Sequence, residues 1–194
     1  MRNQSTLQVD LSGVAQNCRA IRSHIGSQCK FCAVVKADGY GLGALRLGST
    51  LADYADMLAV YSADEAGALL TAGIRKDILV LAPVYAVDRF HPLYRGMMGG
   101  TVHLVIHGED QLRSVLQMAS RFGSVIRVQV KVDTGLRRGG DRKDGGWGRK
   151  VGRGCRGSRK KKKIVCFQFV RDGVVRTCPR SESCCESLGL KSSH

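Results

Sequence analysis

The sequence predicts an α/β protein: a partial (β/α)8 TIM-type barrel of about five βα units, followed by an irregular basic tail. Three observations predict it. Short apolar, β-branched runs recur at Phe31–Val35, Met57–Tyr61, Ile78–Ala82, Thr101–Ile106 and Val125–Val132, their starts 26, 21, 23 and 24 residues apart. Helical periodicity fills the segments between them. A lysine, Lys36, closes the first run and leads into a glycine-rich turn. Runs apolar on both faces suit parallel strands covered by helices, and one strand, one helix and two loops account for the repeat.

The elements follow in order. Ser12 is read as the N-cap of a first helix, with Val14, Cys18, Ile21 and Ile25 on one face. The first strand ends in Lys36-Ala-Asp-Gly-Tyr-Gly-Leu-Gly43. Glycines at 39, 41 and 43 do not fit the Gly-x-Gly-x-x-Gly spacing that a dinucleotide-binding sheet places after its first strand. A barrel keeps its active-site residues at the C-terminal strand ends, which is where Lys36 lies. After the second run, Ala63-Asp64-Glu65-Ala66 opens a helix continued by Leu69, Leu70 and Ile74. After the fourth, Leu112, Val115, Leu116, Ala119 and Phe122 form an i, i+3, i+4, i+7 stripe. The fifth run reaches Val130-Lys131-Val-Asp133-Thr-Gly-Leu-Arg137-Arg138.

Composition divides the chain in two. The net charge of +15 is uneven: residues 1–138 hold 16 basic and 11 acidic side chains, whereas 139–194 hold 15 and 5. The domains are therefore read as 1–138, the barrel segment, and 139–194, a basic tail rich in glycine and cysteine. No stretch approaches the roughly 18 apolar residues of a membrane span. The N-terminus has no apolar signal core, so a cytoplasmic location is expected. Cys29-x-x-Cys32 has zinc or redox spacing but no second pair nearby; it is read as structural thiols, and no metal site is expected. His103 and His107 read as packing or surface residues, and Asp133 as a turn residue rather than a catalytic acid.

Two motifs carry a resemblance. Ala33-Val-Val-Lys36-Ala-Asp-Gly-Tyr40-Gly-Leu-Gly43 resembles the lysine-bearing strand end of the alanine racemase family, A-V-V-K-A-[ND]-A-Y-G-H-G. Lys131-Val-Asp133-Thr-Gly-Leu-Arg137-Arg138 is similar to that family's K-x-D-T-G-M-x-R. Val9-Asp10-Leu11-Ser12 and Asp64-Glu65-Ala66 fit in the right order. The resemblance covers about residues 7–138. It departs at Leu42, where the family has histidine, and this bears on strict alanine specificity rather than on cofactor binding.

The resemblance implies a pyridoxal 5'-phosphate enzyme, an isomerase that racemises a small amino acid, foremost L-alanine to D-alanine. Lys36 would be both the cofactor-binding lysine and one of two bases exchanging the α-proton. Tyr40 would donate to the cofactor phosphate and Arg138 to its phenolic oxygen. Lys131 would be carbamylated and would hold that arginine. Chemically, a desolvated or cation-crowded lysine loses its proton and can attack an aldehyde, and the cofactor supplies the electron sink. Full-length members are homodimers.

After Gly140 the repeat gives way to a glycine-rich basic stretch, the run Arg159-Lys-Lys-Lys-Lys163, one apolar run at Ile164–Val170 and a cysteine- and serine-rich end. The tail is read as disordered or as an out-of-frame translation, with a nucleic-acid-binding arm as the other reading. The barrel cannot close from the five units, so the enzyme is expected to be truncated and weakly active or inactive as this chain. The alternative is a non-catalytic barrel fragment whose basic tail binds nucleic acid.

Overall fold

The strands of the main sheet send alternate side chains to two faces, and the larger apolar cluster lies on the face shared with the helices. The computed structural model describes residues 6–133, 141–142, 168–171 and 174–177. The chain runs α1 (Leu11–Ile25), β1 (Cys32–Val34), the single turn α2 (Lys36–Tyr40), α3 (Ala44–Ala52), β2 (Met57–Val60), α4 (Ala63–Thr71), β3 (Asp77–Val80), α5 (Pro92–Met98), β4 (Val102–Ile106), α6 (Glu109–Phe122) and β5 (Arg127–Val130). These five strands form one sheet in chain order. All neighbours are parallel, with Ala33 beside Leu58, Leu58 beside Ile78, Leu79 beside His103, and Leu104 beside Val128. Parallel strands in consecutive order, joined through helices, are the layout of successive barrel units. The predicted partial barrel is thus the observed one.

Alternation along the strands sorts the side chains. Ala33, Val35, Leu58, Val60, Ile78, Val80, Leu104, Ile106, Val128 and Val130 are buried with Leu69, Leu93, Met97 and Val115 of the helices. The opposite face gathers Met57, Ala59, Leu79 and Val105, with Cys32 and Leu81 packed against them. His103 and Gln129 are buried at positions of that same parity. Burying one large aliphatic side chain stabilises a fold by about 1.5–3 kcal/mol, so the helix-facing layer supplies most of the driving force.

Two details of α1 differ from expectation. Its N-cap is Asp10, not Ser12: the Asp10 carboxylate accepts the Ser12 N–H at 2.8 Å and the Ser12 hydroxyl at 2.7 Å. The carboxylate, two residues earlier, is the stronger acceptor and draws Ser12 into the first turn. Ile21 is 43% exposed, because the buried face runs through Ala15 and Cys18. Two short helices, α3 and α5, were not singled out by periodicity. Helix α5 begins where His91 Nδ1 accepts the Leu93 N–H at 3.1 Å, with Pro92 at its first position. Gly96 lets α5 approach its neighbours: a Cβ there would lie 2.6 Å from Val102 Cγ2 and 2.9 Å from Leu70 Cδ1.

Beyond β5, β6 (Val132–Asp133) pairs in parallel with β7 (Asp141–Arg142). The strands β8 (Gln168–Arg171) and β9 (Val174–Thr177) form an antiparallel pair. The run Ile164–Val170 overlaps β8, so the region read as irregular does contain paired strands. Arg138 and the rest of 139–194 lie outside the described residues. Among the described residues, no helix is long and apolar enough to cross a membrane.

Candidate active site

The site starts where β1 stops. The Val35 N–H donates to the Ala59 carbonyl at 2.8 Å, continuing the parallel ladder one step past the strand. Lys36 follows, half-buried, at the C-terminal end of the strand. The backbone then turns the opposite way from an ordinary helix. Ala37 (φ 51°, ψ 52°), Asp38 (51°, 47°) and Gly39 (63°, 36°) are left-handed, Tyr40 has φ 57°, and Gly41 has φ 82°. For each L-residue this conformation costs roughly 1–2 kcal/mol, and it normally occurs in single residues.

Local contacts hold the turn. Within it, the Gly39 N–H donates to the Val35 carbonyl at 2.9 Å, and the Gly41 N–H to that of Ala37 at 3.0 Å. At its exit, the Asp38 carboxylate accepts the Ala44 N–H at 2.7 Å, supplying a side-chain acceptor at the start of α3, where Gly43 offers none. At its entry, the Glu65 carboxylate of α4 accepts the Ala37 N–H, also at 2.7 Å. Gly39 is the tightest point: a Cβ would meet Leu47 Cδ1 at 2.8 Å, at a positive φ that side chains already disfavour.

This turn carries Tyr40 back over Lys36. The Lys36 Nζ stands 6.0 Å from the centre of the Tyr40 ring, at the outer limit of cation–π attraction. Tyr40 is 63% exposed, so its ring presents a face and a hydroxyl to solvent beside the amine. The structure therefore brings together the two residues that the first motif singles out.

Lys131 stands at the same, C-terminal end of the sheet but four strands away from β1. Its N–H donates to the Ile106 carbonyl at 2.9 Å, extending the β4–β5 ladder. Between them, at the end of β4, His107 Nε2 lies 2.7 Å from the Leu81 carbonyl. Burial holds the His107 imidazole below its ordinary pKa; the Leu81 carbonyl opposes this and the nearby Lys131 charge adds to it. Gln111 fixes this strand end, accepting the His107 N–H and donating to the Val105 carbonyl, both at 2.8 Å. His107 is half-buried, and His103 is buried with its Nε2 3.3 Å from the Asp77 carboxylate.

Among the described residues the cysteines take no part in this arrangement. Cys18, Cys29 and Cys32 are free thiols. Burial, with the Asp56 charge adding to it, pushes the Cys32 thiol up to about 12, which leaves it a packing group rather than a nucleophile. Among the described residues no three His, Cys, Asp or Glu side chains gather as a metal site would require. Glu65 is the participant that motif reading placed only at a helix start. Ser62-x-x-Glu65 is a capping-box spacing, visible in the sequence, but the bond to Ala37 is not.

The donor set suits pyridoxal phosphate: a half-buried primary amine at the open end of a strand, beside an exposed phenol on a rigid turn. Comparisons with known proteins show the family. A family model described as "Alanine racemase, N-terminal domain" matches residues 9–153. The alanine racemase of Mycobacterium ulcerans is 41% identical over 133 residues, 68% of this chain and 33% of that protein. That of Halorhodospira halophila is 37% identical over 130 residues, 67% of this chain and 34% of that protein. The crystal structure of alanine racemase from Corynebacterium glutamicum matches with a TM-score of 0.63 at 25% identity, covering 75% of this chain and 40% of that one. The chain thus spans about a third of the length of the curated relatives it matches. It shares with them both the run of parallel βα units and a recognisable sequence, and it belongs to the family of the alanine racemase N-terminal domain.

Proposed function

We propose that this chain is the cofactor-binding barrel segment of a pyridoxal-phosphate-dependent racemase of a small amino acid, L-alanine to D-alanine foremost. The observation that carries the reading is Lys36, held at the end of β1 by a left-handed turn that sets Tyr40 beside it. When bound, pyridoxal phosphate supplies the electron sink that makes an amino acid's α-proton removable. Lys36 holds the cofactor through its amine and serves as the base on one face of the α-carbon. Tyr40 donates its hydroxyl to the cofactor phosphate, and Arg138 its guanidinium to the phenolic oxygen. Lys131, as a carbamate, steadies Arg138. Exchange on both faces calls for a second, opposed base, which none of these four residues provides. A homodimer and a cytoplasmic setting belong to the reading as well.

The test is borohydride reduction of the chain mixed with pyridoxal phosphate, followed by peptide mapping. Label confined to Lys36 supports the reading. Label spread over Lys131 and Lys160–Lys163 sinks it. A second reading, nucleic-acid binding by the tail, is favoured only by charge: 15 basic against 5 acidic residues in 139–194. It would announce itself as duplex affinity that falls steeply with salt and vanishes on truncation after Arg138.

A further inference from the structure

One carboxylate ties two strand ends together. Glu65 sits at the third position of α4, half-buried. Its Oε2 accepts the N–H groups of Tyr61 at 2.6 Å and Ser62 at 3.2 Å, while the Ser62 hydroxyl accepts the Glu65 N–H at 3.2 Å. That much is a capping box, and it occupies one carboxylate oxygen. The other, Oε1, crosses to the neighbouring strand end and accepts the Ala37 N–H at 2.7 Å. Ala37 is the residue after Lys36 and the first of the left-handed turn. Its amide therefore belongs neither to the sheet ladder nor to a right-handed helix, and Glu65 is the acceptor it has found.

We propose that Glu65 is a positioning residue for Lys36: its carboxylate pins the Lys36–Ala37 peptide to the end of β2, and so fixes where the lysine amine stands relative to Tyr40. This rests on the reading of Lys36 as the cofactor-binding lysine. The physical reason is economy of freedom. A lysine on a four-carbon stem is precise only if its own backbone is fixed, and a left-handed turn without its tie can relax toward the right-handed basin. Two short bonds to one ionised group, from two different strand ends, leave the peptide little room to rotate.

The experiment uses the full chain and three variants: Glu65→Ala, Glu65→Gln and Ser62→Ala. Ser62→Ala removes the other half of the cap and weakens α4 without touching Ala37, so it controls for simple loss of stability. Pyridoxal phosphate is titrated against each protein, fixed with borohydride and mapped; hydrogen exchange at the Ala37 amide is measured in parallel. Glu65→Ala is expected to lose about tenfold or more in apparent affinity at Lys36, to spread its label to other lysines, and to speed Ala37 exchange at least tenfold. Glu65→Gln, which keeps a single acceptor oxygen, falls between. Ser62→Ala keeps both readouts within about twofold of the parent. Parental labelling by Glu65→Ala, or an equal loss in Ser62→Ala, overturns the proposal. If the parent chain itself fails to label Lys36, the cofactor reading is what falls. Ala37 exchange then decides the clamp alone, and an unchanged rate in Glu65→Ala overturns it.

Discussion

The carboxylate of Asp38 accepts the Ala44 N–H at 2.7 Å while Asp38 itself is left-handed, at φ 51° and ψ 47°. The turn after Lys36 and the first turn of α3 are therefore one unit. An orphan donor of the helix finds its acceptor only when the turn has the left-handed form. Strain in the turn and capping of the helix are offset against each other.

Asp38→Ala should accordingly cost about 0.5–2 kcal/mol, the usual loss of an N-terminal cap. Asp38→Asn should recover most of it, since asparagine keeps an acceptor oxygen and tolerates the left-handed region. Urea unfolding followed by circular dichroism measures both; equal losses would refute the cap.

Gly96→Ala should be destabilising by about 1–3 kcal/mol, the range for an overpacked core. The new methyl would stand 2.6 Å from Val102 Cγ2 and 2.9 Å from Leu70 Cδ1, forcing α5 away from β4 and α4. By contrast Gly108→Ala, with nothing within 4 Å of the added Cβ, should cost only the poorer N-cap that alanine gives α6, about 0.5–1 kcal/mol. The pair of melting temperatures decides whether close packing, rather than any glycine substitution, is responsible.

Stability should fall on acidification below about pH 6.5, the ordinary histidine value. His103 is held below that value by burial; Asp77, 3.3 Å away, opposes the shift, while Arg127 and Lys30 reinforce it. His107 is lowered too, again chiefly by burial. A group that binds its proton less readily when folded favours unfolding once the pH drops through its unfolded pKa, and each contributes a slope of at most about 1.4 kcal/mol per pH unit. Asp56 acts in a separate, more acidic window. Burial would raise its carboxyl, but hydrogen bonds from Arg22 and the Phe31 N–H bring it below the usual range, so its contribution is lost only near pH 4 and below. Unfolding midpoints between pH 8 and pH 5 test the histidines; replacing His103 by Gln should flatten that limb, and an unchanged slope would count against it.

Racemisation of alanine by this 194-residue chain should be slow or undetectable. Moving a proton from one face of the α-carbon to the other needs two opposed groups; of Lys36, Tyr40, Lys131 and Arg138 only Lys36 is proposed as a base, and working without a positioned partner costs on the order of 10²–10⁴-fold. Strand edges left unpaired at β1 or β5 would add aggregation to that loss. A coupled assay for D-alanine, with pyridoxal phosphate added, measures it. Turnover near ~10 s⁻¹, typical of enzymes, would show that a residue outside Lys36, Tyr40, Lys131 and Arg138 serves as the second base.

Much of this architecture is written in local sequence. Strands β2, β3 and β4 were legible because both their faces are apolar, and α6, fourteen residues long, because Leu112, Val115, Leu116, Ala119 and Phe122 keep a helical period along it. Lys36 and Tyr40 were legible from their motif, and Ser62–Glu65 from its capping spacing. Helix α5, of seven residues, is too short for a period to stand out, and α3 starts after Gly43, which offers no side-chain cap to mark it. Only the tertiary structure decided which way the chain turns after Lys36. Nothing in Ala37 or Asp38 favours a left-handed backbone over a right-handed one. The choice comes from partners elsewhere in the fold: Leu47 against Gly39, the α3 amide of Ala44 on Asp38, and Glu65 of α4 on Ala37. Local preference amounts to a kcal/mol or two per residue, and hydrogen bonds to charged groups, at about 1.5–3 kcal/mol each, are enough to reverse it.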